Sequence, residues 1–187
     1  MSGASAGIPW DEICAKIPTA KTGDERDQRV ALFRQFDPNG NGYLSLAEVD
    51  KGIRDVLRIE ELFDIKPVII RAFNAAKNFA DNSASGSRQS DYVQLKEFRM
   101  LLVYLLCYLR IWELFERADS GGSTDRRLTR AEFDTIVPEI QRRWLPGMTG
   151  DQLWNFCNTD GGSMVLFTEF AEACIPAVLE RDNPDEQ

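Results

Sequence analysis

An all-α fold of four helix–loop–helix units, in two paired lobes with short antiparallel ribbons between paired loops, is predicted by three observations on this 187-residue chain. The first is residues 37–48, Asp-Pro-Asn-Gly-Asn-Gly-Tyr-Leu-Ser-Leu-Ala-Glu, where oxygen donors recur at alternate positions. The second is a pattern that occurs four times: an aliphatic residue, three intervening residues, a Glu and an apolar residue. It runs from Leu44 to Glu48 and Val49, from Val93 to Glu97 and Phe98, from Leu128 to Glu132 and Phe133, and from Val165 to Glu169 and Phe170. The third is an apolar stripe at helical spacing ahead of each repeat. These stripes are Val30, Phe33 and Phe36, then Ile69, Phe73, Ala76 and Phe79, then Ile111, Leu114, Phe115 and Ala118, and last Leu153, Trp154 and Phe156.

Residues 37–48 match the EF-hand loop, which binds a hard cation through oxygens at positions one, three, five, seven, nine and twelve and turns sharply at a glycine in position six. Asp37, Asn39 and Asn41 supply side-chain oxygens, Tyr43 its carbonyl, Ser45 a direct or water-bridged contact and Glu48 both carboxylate oxygens. Gly42 falls where the turn needs a positive φ. The expected ion is Ca2+, with Mg2+ as competitor. Only Asp37 and Glu48 are charged, so an affinity on the order of micromolar or weaker is expected.

Along the chain, residues 10–17 read as a short amphipathic helix ending before Pro18, and Thr22 opens the helix entering the first loop. Val49, Ile53 and Val56 or Leu57 mark the helix leaving it. The boundaries expected are 1–21 for an N-terminal segment, 22–108 for hands one and two, 109–180 for hands three and four, and 181–187 for an acidic tail. The run 100–109 is the most apolar, but it is about half of what a membrane span requires and reads as a helix buried between two packed halves.

The other three loops are degenerate. In the second, counting back from Glu97 puts Gly86, Arg88 and Ser90 at ligand positions, while Asp81, Ser83 and Ser85 make a better start that lies five residues too early. The third begins at Asp119, two residues early for Glu132, or at Gly121, which has no side chain; Arg126 and Arg127 add positive charge there. The fourth, 158–169, keeps its length with Asp160 and Glu169, but it has Gly162 at position five, Ser163 at the turn and Leu166 at position nine.

A net charge of -8 argues against nucleic acid as a partner, and 43% hydrophobic content supports a packed core. Cys14, Cys107, Cys157 and Cys174 lack metal or redox spacing and read as reduced thiols of a cytoplasmic protein. The chain has no His, no phosphate-binding Gly-rich loop and no nucleophile motif, so no catalytic residue is assigned and no enzyme activity is expected. Residues 1–7 do not read as a secretory signal. With 4 Met against 11 Phe and 4 Trp, a stiff aromatic groove with a narrow set of targets is expected.

The chain resembles the calflagins, the flagellar calcium-binding proteins of kinetoplastid protozoa. The resemblance is carried by Trp10-Asp-Glu-Ile, Ile17-Pro-Thr-Ala-Lys-Thr, Leu32-Phe-Arg-Gln-Phe-Asp, Arg71-Ala-Phe-Asn, Leu95-Lys-Glu-Phe-Arg-Met-Leu-Leu and Val137-Pro. It implies a four-hand calcium sensor associated with the flagellum and its membrane. A protein target helix, or a cytoskeletal or membrane-associated protein, is the expected partner, with a constitutive scaffold as the alternative role. Ser2 after Met1 departs from the glycine that the family uses for myristoylation, so no lipid anchor is expected. In the family, metal binding tends to rest on the later hands, which are the damaged ones here.

Overall fold

The computed structural model describes residues 8–79, 91–119 and 125–182. It divides into two compact units, Met1–Leu106 and Cys107–Gln187. In each unit, two helix–loop–helix hands are joined by a two-stranded antiparallel ribbon. No helix among the described residues is long and apolar enough to cross a membrane.

The first unit opens with α1 (Trp10–Lys16), which buries Ile13, and an extended strap that buries Ile17 and Thr19. Entering helix α2 (Gly23–Phe36) starts at Thr22, whose Oγ1 accepts from Glu25 N at 3.3 Å, with Asp24 and Glu25 set against the positive helix end. Strand β1 (Tyr43–Leu44) leads out of the loop into α3 (Leu46–Gly52). Its partner β2 (Val93–Gln94) leads into α6 (Leu95–Asp119), which continues into the second unit. The ribbon pairs Leu44 with Val93, the two aliphatic positions of the repeat, and both are fully buried. Beneath it, Phe33 and Phe36 of α2 meet Phe98 edge-on, with centroids 5.3 and 5.5 Å apart. Such pairs contribute about 0.5–1.5 kcal/mol each beyond area burial.

In the first unit, three features differ from the sequence expectation. The exiting helix of the first hand is not one helix: α3 widens into a π turn over Ile53–Leu57, with Arg58 N reaching Ile53 O at 2.9 Å and Arg58 in the left-handed region. A short helix α4 (Glu60–Phe63) follows, too brief to show periodicity, and it buries Leu62. In α5 (Lys66–Phe79), Ile69, Phe73 and Ala76 are buried, but Phe79 is 49% exposed because the stripe runs out at the helix end.

In the second unit, β3 (Arg127–Thr129) pairs with β4 (Met164–Leu166), setting Leu128 opposite Val165. Helix α7 (Arg130–Arg143) opens on a capping box between Thr129 and Glu132, and α8 (Gly150–Cys157) on one between Thr149 and Gln152. The fourth hand leaves through α9 (Phe167–Asp182). The core is aromatic: Trp112 and Phe115 pack on Phe167 at 4.7 and 5.3 Å, and Phe133 meets Phe170 at 6.3 Å. Ile111, Leu114, Phe115 and Ala118 are buried as their spacing predicts. Phe156 is the exception at 45% exposed, since the buried face of α8 runs through Leu153 and Cys157. Cys107, Cys157 and Cys174 are buried, and Cys14 is exposed.

Candidate metal centre

The first loop is built by short side chains that bond back to their own backbone. Asp37, buried at the end of α2, accepts Asn41 N on Oδ1 at 3.2 Å and Gly42 N on Oδ2 at 2.8 Å. Asn39 Oδ1 accepts Asn41 N at 2.9 Å, and Asn41 Oδ1 accepts Tyr43 N at 2.8 Å. Each of these bends the chain around one centre. Gly40 and Gly42 complete the turn at φ 69° and 80°, a region that side chains with a Cβ rarely adopt.

Glu48 closes the ring from the far side. Its Oε2 accepts Ser45 N at 2.9 Å and Ser45 Oγ at 2.7 Å, while Ser45 Oγ accepts Glu48 N at 3.3 Å. This capping box orients the carboxylate at the start of α3. Its Oε1 accepts Asn39 Nδ2 at 2.6 Å, which joins position three to position twelve. The structure therefore brings Asp37, Asn39, Asn41, Ser45 and Glu48 together on one loop, with Tyr43 on the ribbon that backs it. Tyr43 turns its ring outward, 46% exposed, against Tyr92 at 6.1 Å.

Among the described residues, no group of three or more His, Cys, Asp or Glu is placed to hold a metal ion. The first loop has two carboxylates, and its other oxygens are amide, hydroxyl and carbonyl. That set suits a hard, oxygen-seeking ion such as calcium and offers nothing to a softer metal.

Residues 81–90, which hold the alternative ligands of the second loop, lie outside the described residues. In that hand, Glu97 is buried and accepts Gln94 N at 2.9 Å, so it caps α6. For the third loop, the structure places Asp119 where Asp37 stands in the first. It is 1% exposed, and its Oδ2 accepts Arg126 N at 2.9 Å, as Asp37 Oδ2 accepts Gly42 N. Arg126 takes the left-handed turn at φ 63°, and its guanidinium lies over the Trp112 ring at 5.8 Å. Gly121, the other possible start, lies outside the described residues.

The fourth loop folds onto its own ligand. Glu169 Oε1 accepts Thr159 N, Thr159 Oγ1 and Asp160 N at 3.1, 2.9 and 3.2 Å, and Oε2 accepts Leu166 N at 3.0 Å. Burial pushes the pKa of this carboxyl up, but the four hydrogen bonds outweigh it and hold it below the ordinary carboxylate value. Thr159 is a partner of Glu169 that the loop pattern overlooks, since position two carries no ligand. Its only sequence signal is a hydroxyl one residue after the loop start.

The chain is similar in sequence to known calcium-binding proteins. The family model described as FCaBP EF-hand domain matches residues 13–105. Flagellar calcium-binding protein TB-17 of Trypanosoma brucei brucei is 30% identical over 186 residues, covering 98% of this chain and 78% of that protein. The flagellar calcium-binding protein of Trypanosoma cruzi is 27% identical over 178 residues, covering 94% and 83%. Among solved structures, a homolog of programmed cell death 6 protein from Leishmania major Friedlin matches at 17% identity and a TM-score of 0.40, over 89% of this chain and 82% of that one. With four hands in two ribbon-paired units and this similarity over nearly its whole length, the chain belongs to the flagellar calcium-binding protein family of EF-hand proteins.

Proposed function

We propose that this protein is a calcium-responsive regulator of a protein partner at the flagellum, working through one competent loop, residues 37–48. Asp37, Asn39, Asn41, Tyr43, Ser45 and Glu48 are its ligands. The observation that carries this reading is the Asn39–Glu48 bond of 2.6 Å, because it joins position three of the ligand series to position twelve on the loop that also holds Asp37 and Asn41. Hands one and two form the responding lobe within 22–108, and hands three and four fill 109–180. Calcium supplies the charge that replaces these internal hydrogen bonds, and a shift of the helix pair then exposes apolar surface for a target helix. The flagellar assignment comes from the names of the relatives.

The test is a calorimetric calcium titration of the wild type and Glu48→Gln, with a hydrophobic dye present. One binding event, lost in the variant and accompanied by dye binding, is the expected result. Heat that survives in Glu48→Gln moves the site elsewhere.

A second reading, a constitutive scaffold, is favoured by Glu169. A carboxylate already held by four donors from its own loop gains less from a cation, so the fourth hand is structurally complete without one. Calcium binding without new dye-accessible surface would favour the scaffold.

A further inference from the structure

A cleft of about 630 Å3 in the first unit is lined by four cationic side chains, Arg26, Arg29, Lys96 and Arg99, with Gly42 of the metal loop and Leu95 beside them. Among the described residues, no carboxylate lines it. In a chain of net charge -8, this concentration of positive charge does not follow from composition. Two acids act on the cluster from its margins. Glu25, whose charge reaches both Arg29 and Arg99, accepts Ala20 N at 2.7 Å, and the buried Glu97 lies 4.0 Å from Lys96 Nζ. The four cations line the cleft itself, and these carboxylates act from its margin.

Neutral groups help to hold the two inner guanidiniums in place. Arg29, 8% exposed, donates from Nη1 to Pro18 O at 3.4 Å and Ala20 O at 2.6 Å. Arg99 donates from Nε to Thr19 O at 2.7 Å. Carbonyls orient a guanidinium without cancelling its charge. Burial lowers the pKa of both arginines, and Arg29 lowers that of Arg99 further by like-charge repulsion. Arg26 and Lys96 are exposed at the rim.

We propose that this cleft binds a compact anion carrying at least two phosphates. Fixed planar forks from Arg29 and Arg99 match phosphate oxygens in pairs, and flexible cations at the rim close over the charge. A single carboxylate would offset too little of the repulsion and would fill too little of the space. Both a soluble polyphosphate and a phosphorylated lipid headgroup have this chemistry.

The test uses the full chain in calcium-depleted buffer, since pyrophosphate chelates calcium. Pyrophosphate is titrated calorimetrically into the wild type and into Arg26→Gln/Lys96→Gln, whose exposed positions leave the fold intact, as a thermal melt verifies. The expected result is wild-type binding that weakens about tenfold or more in the double variant, together with a steep loss of affinity as salt rises. In a parallel arm, phosphatidylcholine vesicles with and without phosphatidylinositol bisphosphate are sedimented with the protein. Binding to the phosphoinositide vesicles that pyrophosphate displaces supports the site and assigns it to a headgroup. Pyrophosphate binding without vesicle binding supports the site and assigns it to a soluble anion. Wild-type protein that binds neither probe, or a double variant that binds as tightly as wild type, overturns the proposal.

Discussion

Asn39 Nδ2 donates a 2.6 Å hydrogen bond to Glu48 Oε1. The same carboxylate accepts the backbone and hydroxyl of Ser45, so both of its oxygens are already hydrogen-bonded. Hydrogen bonds to a charged group contribute about 1.5–3 kcal/mol each where they are protected from water. In the proposed function, cation binding exchanges these bonds for coordination, and the affinity is what remains after that exchange.

Asn39→Asp separates the two terms. A carboxylate at 39 cannot donate to Glu48 and repels it, while it adds a third negative ligand. Calorimetry should show calcium binding about tenfold tighter, and thermal melts without calcium should show a loss of about 0.5–1 kcal/mol. Weaker calcium binding in this variant would mean that Asn39 does not face the ion.

Gly42→Ala tests the turn. At φ 80° a Cβ meets no neighbouring atom within 4 Å, so the cost is backbone conformation alone, about 1–2 kcal/mol. The variant should melt earlier by that amount and bind calcium more weakly. An unchanged melting temperature would show that the turn relaxes.

In the fourth loop, Thr159→Val removes one of the four donors to Glu169. The folded pKa of Glu169 lies below its ordinary value, so this carboxylate contributes stability above the unfolded pKa and loses it as pH falls through the folded one. The variant should be less stable than wild type by about 0.5–1.5 kcal/mol at neutral pH. In denaturant melts, the difference should shrink as pH drops below about 4. A difference that is independent of pH would exclude Glu169 as its source.

Gly52→Ala should destabilise the first unit. A Cβ there would stand 2.4 Å from Phe36 Cδ2, and Phe36 is 1% exposed with no room to retreat. Overpacking costs about 1–3 kcal/mol, more than the 0.8–1.0 kcal/mol or so that alanine gains in a helix. Adding Phe36→Leu should recover part of the loss, so the cycle of single and double variants should be non-additive. A more stable Gly52→Ala would show that the ring can move.

The elements that repeat were legible in the sequence. The aliphatic residue four positions ahead of each Glu predicted both ribbon pairs, Leu44 with Val93 and Leu128 with Val165. A local pattern used four times carries its own confirmation. The sequence leaves the start of the third loop open, because counting back from Glu132 cannot show how a longer loop folds. Asp119 was placed by its bond to Arg126 N. Helical spacing places Phe79 and Phe156 in stripes that the packing does not use, since spacing alone does not say where a buried face ends.

Sequence by itself determined the fold class and the paired hands, because those depend on residue type at short, fixed spacing. Tertiary structure decided what joins residues far apart in the chain. The π turn at Ile53–Leu57 lies directly after a glycine fitted against the Phe36 ring. The strap is held by Arg29 and by Arg99, the latter 80 residues from its acceptor Thr19. That clamp gathers positive charge in an acidic protein, and no pattern along the chain records it, because the bonds that set it are made only once the lobe has closed.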